Sequence, residues 1–204
     1  GGALAEPAHI SDPVVPEAEF ARAGVYSLIG TLLSAPPDQT VFDLLASIEV
    51  GSEETDLSWQ AIKTAASVAD RVELEAEYHA LFIGLGRGEL LPYASTYLTG
   101  FLQEQPLADV RQDFARLGLV RQEGVHEPED HAGSLCQAMS VLILASDDYP
   151  AEEQRRFFSR HVGSWMSEFF SDLAGAKQAG FYRSVANFSQ TFMRIEKRYF
   201  SMEV

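Results

Sequence analysis

Residues 126–131 read HEPEDH and place two histidines, two glutamates and an aspartate within six positions, directly ahead of an apolar run that starts near Leu135. Three chemistries are open to such a set: metal ligation, acid–base work, or recognition of a cation. The zinc-protease pattern needs two histidines four apart on one helical face, with a glutamate to activate the metal-bound water. His126 and His131 are five apart, which turns one roughly 140° from the other on a helix, and Pro128 between them cannot sit in a helix interior. The stretch therefore reads first as a helix entrance. Pro128 favours an extended Glu127, and Asp130 is expected to cap the free N–H groups of the following helix and to suit the positive end of its dipole. The same polar set, Glu127, Glu129, Asp130 and His131, is expected at one surface corner, where it can face a basic ligand.

Three other sets could carry chemistry. GLGRG at 84–88 has the closely spaced glycines of an anion cradle. A dinucleotide fingerprint follows a strand, however, and a P-loop needs Gly-Lys-Ser/Thr, whereas here a helical pattern precedes and Glu89 follows; a helix-ending turn is the simpler reading. The histidines His79, His126, His131 and His161 form no i, i+4 pair, so a metal site would need long-range convergence. Ser134 and Ser140 lie in no Gly-x-Ser-x-Gly elbow and have no matching base. Nothing in this inventory reads as an enzyme.

The elements that must position these residues are helical. In EAEFARAGVYSLIGTLLSAPPD, Phe20, Val25, Leu28, Ile29, Leu32 and Leu33 follow helical spacing until Pro36-Pro37 ends the run. Further helices are expected around Leu44, Leu45 and Ile48; from about Asp56 with Ile62, Ala65 and Ala69; and through Leu74, Tyr78, Leu81 and Phe82. Beyond the glycine loop, Leu107, Val110, Phe114 and Leu117 make another, closed by Gly118 as a left-handed cap. The helix from about Asp130 to Ala145 is apolar around most of its girth, which predicts a central position. Two more are expected at about 151–174 and 181–200. The predicted architecture is all-α, a single irregular helical bundle over residues 17–204, preceded by a loose, disordered leader at 1–16.

Composition narrows the partners. A formal charge of −15 repels a nucleic-acid backbone or an anionic membrane and favours cationic partners. The single cysteine, Cys136, allows neither an intrachain disulfide nor a Cys-rich zinc site and suits a reducing compartment. The longest aliphatic run, VLILA at 141–145, falls far short of the ~20 residues that span a bilayer, and no basic-then-apolar export signal opens the chain.

The segments YHALFIGLGRGELLPYASTYL at 78–98, EPEDH at 127–131, FFSRHVGSWMSEF at 157–169 and FYRSVANFSQTF at 181–192 resemble, in order and spacing, the TorD/DmsD family of molybdoenzyme maturation chaperones. The resemblance runs from Phe20 to about Ile195. It implies an all-helical, non-catalytic cytoplasmic chaperone without a cofactor of its own, and allows a homodimer. Its partners would be the apo form of a molybdopterin-containing oxidoreductase and that client's twin-arginine leader, held until cofactor is inserted and export delayed meanwhile. Carried over, the leader- and client-binding positions are Tyr78, Leu81, Phe82, Pro92, Tyr93, Ser95 and Tyr97, then Glu127, Pro128, Asp130 and His131, with Gly84 and Gly86 in the hinge loop. Where many members have Pro-Pro-Trp-Glu-Ser, this chain has Leu91-Pro92-Tyr93-Ala94-Ser95. The implied ligand joins two guanidinium groups to an apolar segment, so its receptor needs carboxylates beside an aromatic or aliphatic groove. Glu73, Glu75, Glu77, Glu127, Glu129 and Asp130 supply charge. Leu81 and Phe82 sit at spacings that core packing alone explains, which leaves Tyr93 and Tyr97 as the better groove candidates. A nucleotide-binding (GTP) helical switch, and a scaffold that binds only the client's body, remain alternative readings.

Overall fold

The structure is a computed structural model that describes residues 15–48 and 53–202; most of the expected leader, residues 1–14, lies outside them. The helices are α1 (Glu17–Ser34), α2 (Gln39–Ser47), α3 (Glu53–Ser67), α4 (Arg71–Phe82), α5 (Ala94–Thr99), α6 (Gln105–Leu117), α7 (Ala132–Leu144), α8 (Ala151–Phe157), α9 (Met166–Ala174) and α10 (Phe181–Met202). Among the described residues there is no β-strand, only an isolated bridge. No helix there is long and apolar enough to cross a membrane.

The centre of the bundle is the α1–α7 pair, the most extensive helix–helix contact. Small residues let the two backbones approach: a Cβ built on Gly133 would lie 3.0 Å from the Gly30 carbonyl oxygen and 2.4 Å from Ser34 Oγ. Polar side chains on α7 then find acceptors on α1. Ser140 Oγ donates to the Ala23 carbonyl at 3.0 Å, and Gln137 Nε2 donates to the Ser27 carbonyl at 3.1 Å. Such bonds cost α7 no buried unpaired group in an otherwise apolar interface. α10 closes the opposite side against α3 and α9, with Phe188 on Trp59 and Phe192 edge-on to Tyr26. Its N-terminus is capped by Glu77 of α4, whose carboxylate accepts N–H bonds from Gly180, Phe181 and Tyr182 at 2.8–3.0 Å.

Three expectations need correction. Phe20 is 64% exposed, and Ala23 and Tyr26 complete the buried face of α1 in its place. The helix expected over 151–174 is broken: α8 passes into a π-helical turn at Phe158–Val162, and a bend separates it from α9. The Phe158 ring fills the space a side chain at Gly163 would need, and Trp165 Nε1 donates to the His161 carbonyl at 2.7 Å, fixing the new direction. The loop expected around Tyr93 and Tyr97 contains α5. The expected central place of α7 holds, with Val141 and Leu144 left 45% exposed on its outer edge.

Candidate functional site

Two distant stretches, Pro92–Ser95 and Asp130–Ala132, are stapled together. Ala94 N–H donates to the Asp130 carbonyl at 3.0 Å, Ala132 N–H donates to the Pro92 carbonyl at 2.8 Å, and Tyr93 and His131 form an isolated antiparallel bridge. Asp130 is only 1% exposed. One carboxylate oxygen accepts the Ser95 N–H at 2.8 Å, so it caps α5 rather than α7. The cap of α7 is His131, whose Nδ1 accepts the Gly133 N–H at 3.0 Å. The expected Asp130 cap of α7 is thus reassigned. Both residues satisfy a helix N-terminus, but the donor that Asp130 reaches is thirty-five positions away in sequence and is supplied by the tertiary fold.

This arrangement fixes the chemistry of His131. Accepting an N–H at Nδ1 requires a neutral ring. Burial pushes its pKa down to about 4, against the opposing pull of the nearby Glu127 and Asp130 charges. The Tyr93 ring meets it edge-on at 5.1 Å, and burial beside Glu127 and Asp130 pushes the Tyr93 phenol up to about 12. Neither group is poised for proton transfer near neutral pH.

The expected surface corner is also corrected. Asp130 and His131 are buried, and Glu129 is 7% exposed. Glu129 is held by two guanidiniums, Arg111 Nε at 2.5 Å and Arg121 Nε at 2.9 Å. Only Glu127 remains exposed. It and His131 line an open cleft of about 240 Å³ between α1, α7, the end of α6 and residues 119–127. The apolar wall is formed by Phe114, Leu119, Val120, Val125, Ala138 and Val141. The exposed edge of α7 at Val141 therefore has a place: it is one side of this cleft.

The remaining candidates do not line it. Tyr78 is buried and donates its hydroxyl to the Leu33 carbonyl at 3.0 Å; burial, reinforced by Glu127 and Tyr93, pushes its pKa up. Leu81 is fully buried, and Phe82 packs on Tyr78 and Tyr182. These three are core. Pro92 and Ser95 are buried in the staple, and Pro128 accepts the His131 N–H in the turn. Tyr97 packs its ring on Trp165 and Phe169 and donates to Asp172 at 2.7 Å. It lines a separate polar hollow with Glu89, Glu168 and Asp172. Glu73 and Glu75 stand exposed on α4, and Glu77 is occupied as the cap of α10.

GLGRG is a helix-ending turn. Gly84 (φ +59°) and Gly86 (φ +93°) take left-handed conformations, and a Cβ on Gly84 would overlap the Arg87 carbonyl. The chain then folds back so that the Glu89 and Leu90 N–H groups donate to the Ala80 and Leu81 carbonyls. Those donors are spent on closing the helix. The residues sequence reasoning missed are Phe114, Leu119, Val120, Val125 and Val141 on the cleft and Arg111 and Arg121 on Glu129. His161 is structural: with Asp113 it makes a buried 2.6 Å contact that Arg116 and Arg160 flank. Burial lowers the His161 pKa against the raising effect of Asp113, and the pair ties α6 to the π-helical turn. Among the described residues, no group of three or more His, Cys, Asp or Glu could hold a metal ion.

The family model described as nitrate reductase delta subunit matches residues 50–171. "Chaperone protein TorD" of Vibrio atlanticus is 26% identical over 205 residues, covering 89% of this chain and 95% of the relative. Its namesake in Shewanella loihica is 27% identical, covering 88% and 92%, and that of Actinobacillus pleuropneumoniae serotype 7 is 28% identical, covering 86% and 92%. A crystal structure of a redox enzyme maturation protein from Archaeoglobus fulgidus superposes with a TM-score of 0.57 at 18% identity, covering 92% of this chain and 99% of that one, and so shares the fold. The relatives are named for a chaperone's role, which is not an enzyme's. With the family model matched over more than half its length, the chain belongs to the nitrate reductase delta subunit family, the family of the TorD chaperones.

Proposed function

We propose that this protein is a maturation chaperone that holds the twin-arginine leader of an apo molybdoenzyme in the cleft between α7 and residues 119–127. The observation that carries the reading is chemical. The cleft joins an apolar wall of Phe114, Leu119, Val120, Val125 and Val141 to a rim bearing the exposed Glu127 carboxylate, and a twin-arginine leader joins guanidiniums to an apolar segment. A carboxylate at the mouth of an apolar groove attracts the first and buries the second. The chain's formal charge of −15 favours approach of such a cationic segment. Family membership and the chaperone names of the relatives support the client class. Cofactor insertion while the client is held, and delay of its export, follow from occupancy of the leader; the site of action is the cytoplasm, where leaders are made.

The test is calorimetric titration of a twin-arginine leader peptide, its twin-lysine counterpart, and the leaderless client. The reading expects the first to bind, and to bind more weakly as ionic strength rises toward physiological values, where the screening length is ~8 Å. Equal binding of both peptides removes the guanidinium role. Binding of the leaderless client alone assigns the protein to the client's body.

A further inference from the structure

Glu129 does not wait empty for a ligand. It lies in the EPEDH turn with its carboxylate divided between two guanidiniums of the same chain, Arg111 of α6 on Oε2 and Arg121 on Oε1. Arg121 makes a second contact, donating through Nη1 to the Glu127 carbonyl at 3.0 Å. One guanidinium thus donates to the Glu127 carbonyl and pairs in charge with Glu129 Oε1, two residues apart in the turn. Its own segment, 119–127, forms one wall of the cleft and contains no helix. Within it the one backbone bond is from Val125 N–H to the Gln122 carbonyl. Val120, beside Arg121, is 85% exposed. Arg111 is fixed in a helix, whereas Arg121 is on a strip of loop that few bonds hold.

We propose that the Glu127 carbonyl and Glu129, which lies behind Arg121 at the edge of the cleft, form a guanidinium site, with Arg121 as its resident stand-in that a leader arginine displaces. This rests on the leader reading above and deepens it. Two guanidiniums on one buried carboxylate reproduce within the chain the contact that a pair of adjacent leader arginines makes. A planar guanidinium suits two acceptors set side by side, and a lysine ammonium, with a compact charge, spans them poorly. Exchange of Arg121 for a leader arginine keeps Glu129 neutralised throughout, so no buried charge is uncovered. It also frees residues 119–127 to close over the apolar segment that follows the arginines.

The test titrates the twin-arginine and twin-lysine leader peptides into the wild type, Arg121→Gln, Arg121→Lys and Glu129→Gln, with melting recorded for each. Removing a competitor whose guanidinium side chain is 40% exposed should tighten twin-arginine binding about two- to fivefold in Arg121→Gln. Arg121→Lys, which keeps the charge but loses the bridge, should tighten it less. Glu129→Gln should weaken it about tenfold or more through loss of a charge-assisted bond. If the wild type prefers twin arginine while both Arg121 variants bind unchanged or more weakly, Arg121 is a wall of the cleft and the exchange is overturned, with the leader reading intact. A wild type that binds both peptides equally overturns the guanidinium site, and one that binds neither overturns the leader reading itself.

Discussion

The neutral, buried His131 cap makes a quantitative prediction about acid stability. In the unfolded chain the imidazole titrates near its usual 6.5, and in the fold burial holds it at about 4. The unfolded state therefore binds the proton more tightly between these values. The stabilisation is complete above pH 6.5 and is lost as pH falls from 6.5 toward 4. Two and a half units between the states give a loss of ~2 kcal/mol between pH 7.5 and pH 5 from this group. The perturbation that isolates it is His131→Asn, because the asparagine side-chain oxygen can still accept the Gly133 N–H while no longer titrating. Urea denaturation of the two proteins at a series of pH values supplies the free energies. His161, also held low by burial, titrates in both and cancels in the difference. The wild type's advantage over the variant should shrink by ~2 kcal/mol between pH 7.5 and 5. Parallel stability curves, with a constant offset across that range, would refute the reasoning, since a buried neutral cap must lose ground on acidification.

Three further outcomes follow from the packing. Tyr97→Ala should lower stability by ~2 kcal/mol in urea denaturation, since its half-buried ring packs on Trp165 and Phe169, while Tyr97→Phe should cost under ~1 kcal/mol for the lost bond to Asp172. Arg22→Ala should cost ~3 kcal/mol or more by thermal melting, because it strands the buried Glu196 carboxylate that Arg22 holds at 2.8 and 2.9 Å. Gly133→Ala should cost ~1–3 kcal/mol by forcing α1 and α7 apart at Gly30 and Ser34, measurable as a lower urea midpoint.

Much of the bundle was legible because apolar spacing and helix stops are local signals. The Pro36-Pro37 end of α1, the Gly118 cap of α6 (φ +71°) and the central place of α7 were all written in runs of a few residues. The misreadings share a cause, which is that the deciding partner was remote. α5 is six residues long, and its start is held by the Asp130 carboxylate across the staple, so no local pattern announces it. Asp130 has the side chain of an N-cap, and sequence alone could not say which helix it caps. The break after α8 depends on the Phe158 ring taking the space above Gly163, in a stretch whose periodicity continues unbroken. At the proposed cleft, HEPEDH contributes Glu127 and His131 to the lining. Its exposure was misjudged because Arg111 and Arg121, eighteen and eight positions upstream of Glu129, bury and neutralise it. The groove tyrosines were expected in a loop, yet Tyr97 packs on α9 and Tyr93 on His131.

Hydrogen–deuterium exchange of the whole chain, alone and saturated with a twin-arginine leader peptide, tests the central claim most directly. Occupancy of the cleft predicts slowed exchange in residues 119–127 and at the start of α7, with α4, the GLGRG turn and α10 unchanged. Protection confined to the 84–98 stretch or to α10, with residues 119–134 exchanging as in the free protein, would contradict it.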